Sequence, residues 1–276
     1  MKRDLASMAK AVEANLFAFF QQLSGWPRIA IHDDAECFWT ISDLPFPLFN
    51  SVMRARASAA SVDALIDARI AACRSLHVPM LWWTGPSTEP GDLGRRLNQR
   101  GFMFEPAHGM FADLSNIPPQ SSERPAAAGA LATLTIERVT DPDTLKTWSG
   151  VLCDAFGAPP PFGDAFAELA MAIGLGDESP FRHFLARYHD APVATCSLYR
   201  AEGVAGIYDV STLPERRRRG IARAITSAAM QDACSLGCCS AILHSSALGA
   251  GVYRSLGFEE VCGIGQYVWA PEDFAR

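Results

Sequence analysis

Pro214-Glu-Arg-Arg-Arg-Arg-Gly-Ile-Ala222 sets four consecutive cations directly before a glycine and an apolar helical pattern. Three readings fit those residues taken alone: a solvated turn, a polyanion patch, or the mouth of a phosphate site. The flanks narrow the choice. GIYDVST (206 to 212) reads as a strand ending two residues before Pro214, and residues 220 to 236 read as a helix, so the stretch is a strand-to-helix turn. The first NH groups of a helix have no intrahelical partners and lie at the positive end of its dipole, which makes such a turn an anion site. Gly220 and Ala222 remove side chains and let a diphosphate approach the main chain. No acid occurs between Glu215 and Asp232, so the dipole is left free for a ligand. Ile221, Ala224, Ile225, Ala228 and Ala229 share one helical face, which predicts a helix packed on a sheet.

The rest of the chain does not share the sign of this cluster. Its 276 residues carry a net charge of −6 and are 49% hydrophobic and 20% charged, an ordinary globular composition that argues against a nucleic-acid-coating surface. Eight cysteines are scattered without a paired CxxC arrangement, and the N-terminal stretch has no cleavage signature after an apolar run. A reduced, cytoplasmic location follows as the expectation, with no metal site. No stretch approaches the roughly 18 uninterrupted apolar residues of a membrane span.

Pro118 to Ala130, PPQSSERPAAAGA, lacks apolar periodicity and reads as a linker. The predicted organisation is 1–117, a linker over 118–132, and 133–276. Beyond the linker the patterns predict strand 133–139, helices 143–156 and 163–174, and two strands joined near Asp190 to Pro192. Strand 206–212, helix 220–236, strand 240–246, a short helix 249–256 and two closing strands near 258–262 and 266–269 complete the order. The first half echoes the end of this series. Gly101-Phe102 is followed by Gly109 and Phe111, and Gly257-Phe258 by Gly265 and Tyr267 at identical intervals. Residues 71–84 likewise parallel 232–245, so a duplicated unit is predicted, with nothing like PERRRRGIA in the first copy.

Arg217-Arg-Arg-Gly220-Ile-Ala222 resembles the (Q/R)xxGx(G/A) acetyl-CoA loop of the GCN5-related N-acetyltransferases (GNATs), and AGVYRSLGFEE resembles that family's later Tyr-xxx-Gly-Phe segment at Tyr253, Gly257 and Phe258. The resemblance covers roughly residues 134 to 270. It implies a mixed α/β fold (α+β), a mostly antiparallel sheet flanked by helices, in two tandem GNAT-like halves of which the first is degenerate. No GxxxxGK[ST] is present, and Gly249-Ala-Gly251 and Gly263-Ile-Gly265 each lack the third glycine of a dinucleotide fingerprint.

The resemblance further implies acetyl-CoA as acyl donor and a small-molecule or peptide amine as acceptor, attacked directly in a ternary complex. The main chain at Val210, Ser211 and Thr212 would pair with the pantetheine arm. Amides of Arg217, Arg218, Arg219, Gly220, Ile221, Ala222 and Arg223 would hold the pyrophosphate. Tyr253 corresponds to the tyrosine that protonates the leaving thiolate, or else is a packed helix residue. Asp209 is a base candidate and equally a solvated or paired acid; Tyr208 beside it is predicted on the opposite face. His244 on the next strand reads first as a core or edge residue. Ser246 stands where the family often has a coenzyme-contacting asparagine. Phe156 and Phe162, in a proline-stiffened loop between the first two helices, are candidates for the acceptor wall or for packing. The rival readings are a coenzyme-binding regulatory module without catalysis and a polyanion-binding protein. A monomer or a homodimer fits the sequence.

Overall fold

The computed structural model describes residues 4–115, 133–272 and Phe274. The expected linker, 118–132, lies outside the described residues. By its contacts the chain divides into two compact units. The first comprises Met1–Gly109, His244–Leu248 and Glu260–Arg276; the second comprises Met110–Leu243 and Gly249–Glu259. This is not a single cut in the sequence, because the end of the chain folds with the first unit.

The first unit holds helix α1 (Leu5–Gln21), strands β1 (Ile29–Asp33), β2 (Phe38–Ser42) and β3 (Ser51–Met53), helix α2 (Val62–Ser75), strand β4 (Met80–Thr84), helix α3 (Leu93–Asn98), the start of β5 (Met103–Asp113) and nearly all of β11 (Glu259–Trp269). β1, β2 and β3 pair antiparallel, β3 and β4 pair parallel, and β11 closes antiparallel on β4 from Gly265↔Thr84 to Trp269↔Met80. The two closing strands expected near 258–262 and 266–269 are therefore one continuous strand. The glycines between them, Gly263 and Gly265, do not break it, and Gly265 is itself paired with Thr84 in the antiparallel ladder with β4. Met80, Trp82, Ile66, Phe102, Tyr267 and Trp269 lie in one buried cluster.

The second unit holds β6 (Leu134–Arg138), α4 (Pro142–Phe156), α5 (Pro160–Ile173), β7 (Phe181–Tyr188), β8 (Ala191–Ala201), β9 (Val204–Thr212), α6 (Ile221–Ser235), most of β10 (Ser240–Ser245) and α7 (Ala250–Arg254). β6 through β9 form an antiparallel meander, and β9 pairs parallel with β10. Both hairpin turns of the meander place two successive residues at positive φ, His189–Asp190 (48°, 63°) and Glu202–Gly203 (48°, 75°). That is the backbone twist a two-residue hairpin needs. α4 starts on Asp141, whose carboxylate accepts from Thr144 N at 2.9 Å, and stops at Gly157 with φ 65°.

α5 begins earlier than the periodicity predicts, at Pro160. Proline is suited to the first helical position, where its fixed φ fits and its missing NH is not needed, so Pro160 and Pro161 open the helix and do not stiffen a loop. On one face of the sheet Ala186, Cys196, Leu198, Ala205 and Ile207 meet Ile221, Ile225, Ala229 and Met230 of α6, so the expected apolar stripe is buried at those positions. On the opposite face Trp148 of α4 packs against His183 of β7, with ring centroids 4.7 Å apart.

The echo between the halves extends to hydrogen bonds. His77 N bonds Arg74 O and Val78 N bonds Cys73 O; Gly237 N bonds Cys234 O and Cys238 N bonds Ala233 O. Gly101 and Phe102 bond back to Asn98 and Leu97, as Gly257 and Phe258 do to Arg254 and Tyr253. His77 (φ 54°) and Gly237 (81°), and Gly101 (85°) and Gly257 (90°), occupy the same left-handed helix ends. The copies part at the helix that follows β3 in the first and β9 in the second. α2 carries Asp63 in its first turn, ion-paired to Arg96 and Arg100, and its N-terminal Ser61 hydroxyl is bonded to Glu36. The positive end of α2 is already neutralised.

Candidate functional site

β9 is the element around which the second unit's candidate residues gather. Its register against β8 runs Ser197↔Tyr208 and then Thr195↔Ser211, so Asp209 and Val210 together face the single residue Cys196. This is a β-bulge, and Asp209 adopts φ 52°, the left-handed region that Asp and Asn tolerate better than most residues. The parallel pairing of β9 with β10 runs from Val204↔Ser240 to Ile207↔Leu243 and stops there. Tyr208 to Thr212 thus lie beyond the last β10 pair, on a strand bent by its bulge.

The bulge is held by hydroxyl groups. Thr195 Oγ1 donates to the Asp209 carbonyl at 2.7 Å and lies 2.7 Å from Ser211 Oγ, whose hydroxyl then supplies the second bond. The Asp209 carboxylate accepts from the Ser197 hydroxyl, and Ser197 Oγ lies 2.8 Å from His183 Nδ1. Register places His183, Ser197 and Tyr208 directly across from one another. Regular alternation would send Asp209 and Tyr208 to opposite faces. The bulge cancels it, because Asp209 is bonded to the cross-strand partner of Tyr208.

Asp209 is partly exposed as a residue, yet its carboxyl is deep enough for desolvation to raise its pKa to about 6, against the opposing pull of the Ser197 hydrogen bond. Burial likewise pushes the Tyr208 phenol well above its usual value, with Tyr199 and Asp209 adding to it. Tyr253, on α7, is half-buried against Phe258 at a centroid distance of 6.1 Å. Burial raises its phenol, with Cys196 contributing, so at neutral pH it holds its proton. His244 and Ser246 belong to the first unit's segment. His244 lies 6.0 Å from Trp83, and burial lowers its imidazole to about 4. Ser246 is exposed and its carbonyl accepts from Ser245 Oγ at 2.7 Å.

The stretch Pro214 to Ala222 folds as a short 3-10 turn over Pro214–Arg216, then Arg218 at φ 62° and Gly220 at φ 80°, then α6. α6 starts at Ile221 with no side-chain cap on Gly220 and no acid in its first turn. Ile221 is buried, Ala222 half-buried and Arg223 exposed. The residues present therefore suit a diphosphate: a fifteen-residue helix whose first amides have neither a capping oxygen nor a carboxylate to neutralise them.

The arginines divide by role. Arg217 Nε bonds the Thr212 carbonyl at 3.1 Å and its Nη2 bonds the Ala155 carbonyl at 3.0 Å. Its guanidinium thus ties the turn to the end of β9 and to the C-terminus of α4. Arg216 lies over the Tyr188 ring at 5.8 Å. Arg218 and Arg219 are exposed.

Of the expected acceptor-wall residues, Phe156 ends α4 and is 62% exposed, while Phe162 sits inside the first turn of α5, half-buried, 5.1 Å from Phe166. Thr195, Ser197 and His183 escaped the sequence reading. The signal available was the Thr-Cys-Ser alternation within an apolar strand, which reads as ordinary until the bulge on its neighbour is known. Among the described residues no group of three or more His, Cys, Asp or Glu is arranged to hold a metal ion. Among them also, no helix is long and apolar enough to cross a membrane.

A meander ending in a bulged strand, a parallel partner that pairs with it only up to the bulge, and an uncapped helix between the two define an α/β fold of the GNAT type. Residues 179–260 match the family model described as an acetyltransferase (GNAT) domain. Solved structures are similar over nearly the whole chain. A GCN5-related N-acetyltransferase from Kribbella flavida is 17% identical, with 95% of each chain covered and a TM-score of 0.64. One from Sphaerobacter thermophilus is 18% identical over 97% of this chain and 94% of that one, TM-score 0.62. A tandem GNAT protein from the clavulanic acid biosynthesis pathway is 12% identical, covering 90% of this chain and 85% of its own, TM-score 0.57. These likenesses are of fold, and they include the arrangement in two GNAT-like halves. No curated protein matches the chain.

Proposed function

We propose that the protein is an acetyl-CoA-dependent N-acetyltransferase acting on a primary amine by direct attack in a ternary complex. The observation that carries this reading is the pairing of the Asp209 bulge, where β9 leaves β10 after Ile207↔Leu243, with the uncapped, acid-free start of α6. The first suits an extended thioester arm added to a strand edge, the second a diphosphate.

In this reading Val210, Ser211 and Thr212 pair with the arm, and amides from Arg217 to Arg223 receive the pyrophosphate. The amine nitrogen attacks the thioester carbon while the backbone NH near Val210 meets the oxyanion, and the C–S bond breaks as the C–N bond forms. Asp209, directly or through one water, takes the amine proton, which a carboxyl titrating near 6 does at neutral pH. Tyr253, protonated at neutral pH, gives its proton to the departing thiolate. Tyr208, Phe156 and Phe162 border the acceptor, a small molecule or a peptide amine. Residues 1–117 and 133–276 are the two repeat copies, the first without a coenzyme loop. A cytoplasmic monomer or homodimer completes the proposal.

Calorimetry with acetyl-CoA, followed by an amine panel read as free thiol, tests it. Saturable binding with amine-dependent thiol release is expected. No binding at high micromolar acetyl-CoA refutes the proposal, and binding without thiol release for any amine leaves a coenzyme-binding module.

A further inference from the structure

Two hydrogen-bond chains converge on Asp209 from the neighbouring strands, and they do different things. The Ser211–Thr195 chain ends on the Asp209 carbonyl and fixes the backbone of the bulge. The Ser197–His183 chain ends on the carboxylate. Ser197, Thr195 and His183 are all buried, the first two at 0% exposure, so no bulk water competes for these bonds.

The directions of the second chain follow from what each group can offer. An ionised carboxylate only accepts, so the Ser197 hydroxyl donates its single proton to Asp209. The Ser197 oxygen then accepts from His183, which requires the proton on Nδ1. Trp148 and Phe181 hold the imidazole between them at centroid distances of 4.7 and 6.3 Å.

We propose that Ser197 and His183 are positioning residues for Asp209: the chain His183 Nδ1–H to Ser197 O–H to carboxylate locks one carboxylate oxygen and leaves the other to receive the proton. This rests on the reading of Asp209 as the base. The proton goes no further than Asp209, because burial holds His183 down at about 4 and keeps it neutral. The other titratable groups that interact with the carboxyl are Cys196 of β8 and Tyr208 of β9, and Tyr199 of β8 interacts in turn with Tyr208. No lysine or arginine is among the groups that shift it.

Carbon-13 NMR titration of the aspartate carboxyls in the full chain, with Asp209 assigned by its loss in Asp209→Asn, reads the chain directly. Asparagine suits this control because it tolerates the left-handed backbone. In Ser197→Ala the Asp209 titration is expected to move upward by about one unit, since a hydrogen bond to the charged form has gone. His183→Leu should move it the same way by less, and His183→Asn should restore it, because the amide donates near the Nδ1 position. An Asp209 titration unchanged in both Ser197→Ala and His183→Leu overturns the proposal.

Kinetics separates this from the base assignment. A lower kcat with an unchanged KM for acetyl-CoA, and an acid limb that moves with the NMR value, support both. An NMR shift with a stationary acid limb keeps the positioning role and removes Asp209 as the base.

Discussion

Ala222→Glu should strengthen the fold and weaken coenzyme binding at once, an opposition that only a ligand at the α6 N-terminus produces. Ala222 is the second residue of α6, half-buried, in a first turn that contains no acid and follows an uncapped glycine at φ 80°. A carboxylate there meets the positive end of the dipole, worth about 0.5 kcal/mol at a partly exposed site. For a chain of this size that corresponds to a melting temperature higher by about 1–2 °C. The same carboxylate would lie about 6 Å from a bound diphosphate. At an effective dielectric constant of about 20 each pair of unit charges repels by roughly 3 kcal/mol, and salt and exposure reduce this by about half. The acetyl-CoA dissociation constant should therefore rise by about 10- to 100-fold. Ala222→Gln has nearly the same volume without the charge, and should stay within about threefold of the parent on the same scale. Thermal melts and calorimetry on the three proteins give the answer. Equal losses in the Glu and Gln variants would mean that bulk, not charge, is felt; no loss in the Glu variant would place the diphosphate elsewhere.

Tyr253→Phe should lower kcat by about 100-fold while leaving the KM for acetyl-CoA within a factor of two, since it removes a proton donor and keeps the ring that packs on Phe258. Steady-state thiol release at saturating amine checks it, and an unchanged kcat would return Tyr253 to a packing role. His77→Gly should stabilise the protein by up to about 1 kcal/mol in urea, because His77 occupies at φ 54° the helix end where the second copy has Gly237; destabilisation would show that the His77 side chain matters more than its backbone. Acid should also destabilise the protein. His183 and His244, each lowered from 6.5 to about 4, contribute stability that is present above 6.5 and lost as pH falls through about 4. Asp209, raised from 3.8 to about 6, works oppositely, its contribution being present below 3.8 and lost as pH rises through about 6. With two imidazoles against one carboxyl, urea midpoints should fall from pH 6.5 to 4, and a flat profile would contradict the burial of the imidazoles.

What could be read from the sequence was local. The glycine turn, the acid-free helix start and the Gly-Phe spacing each act through a few neighbouring residues, and all reappear as backbone conformations at Gly220, Gly101 and Gly257. The bulge could not be read, because a left-handed aspartate leaves no mark in composition and the hydroxyls bonded to Asp209, Thr195 and Ser197, come from another strand. The start of α5 was misplaced for a related reason. In the sequence alone a proline run reads as loop, whereas at Pro160 its fixed φ begins a helix and carries Phe162 inside it. The division by contacts was out of reach too, since β11 chooses β4 across most of the chain's length.

That pairing reaches beyond the folded molecule to its fragments. A fragment ending near residue 117 would leave Met80 to Thr84 without the strand that covers its edge, and a fragment starting near 133 would carry Gly265 to Trp269 with nothing to lie against. Deleting either segment would therefore leave a strand of the other without its antiparallel partner.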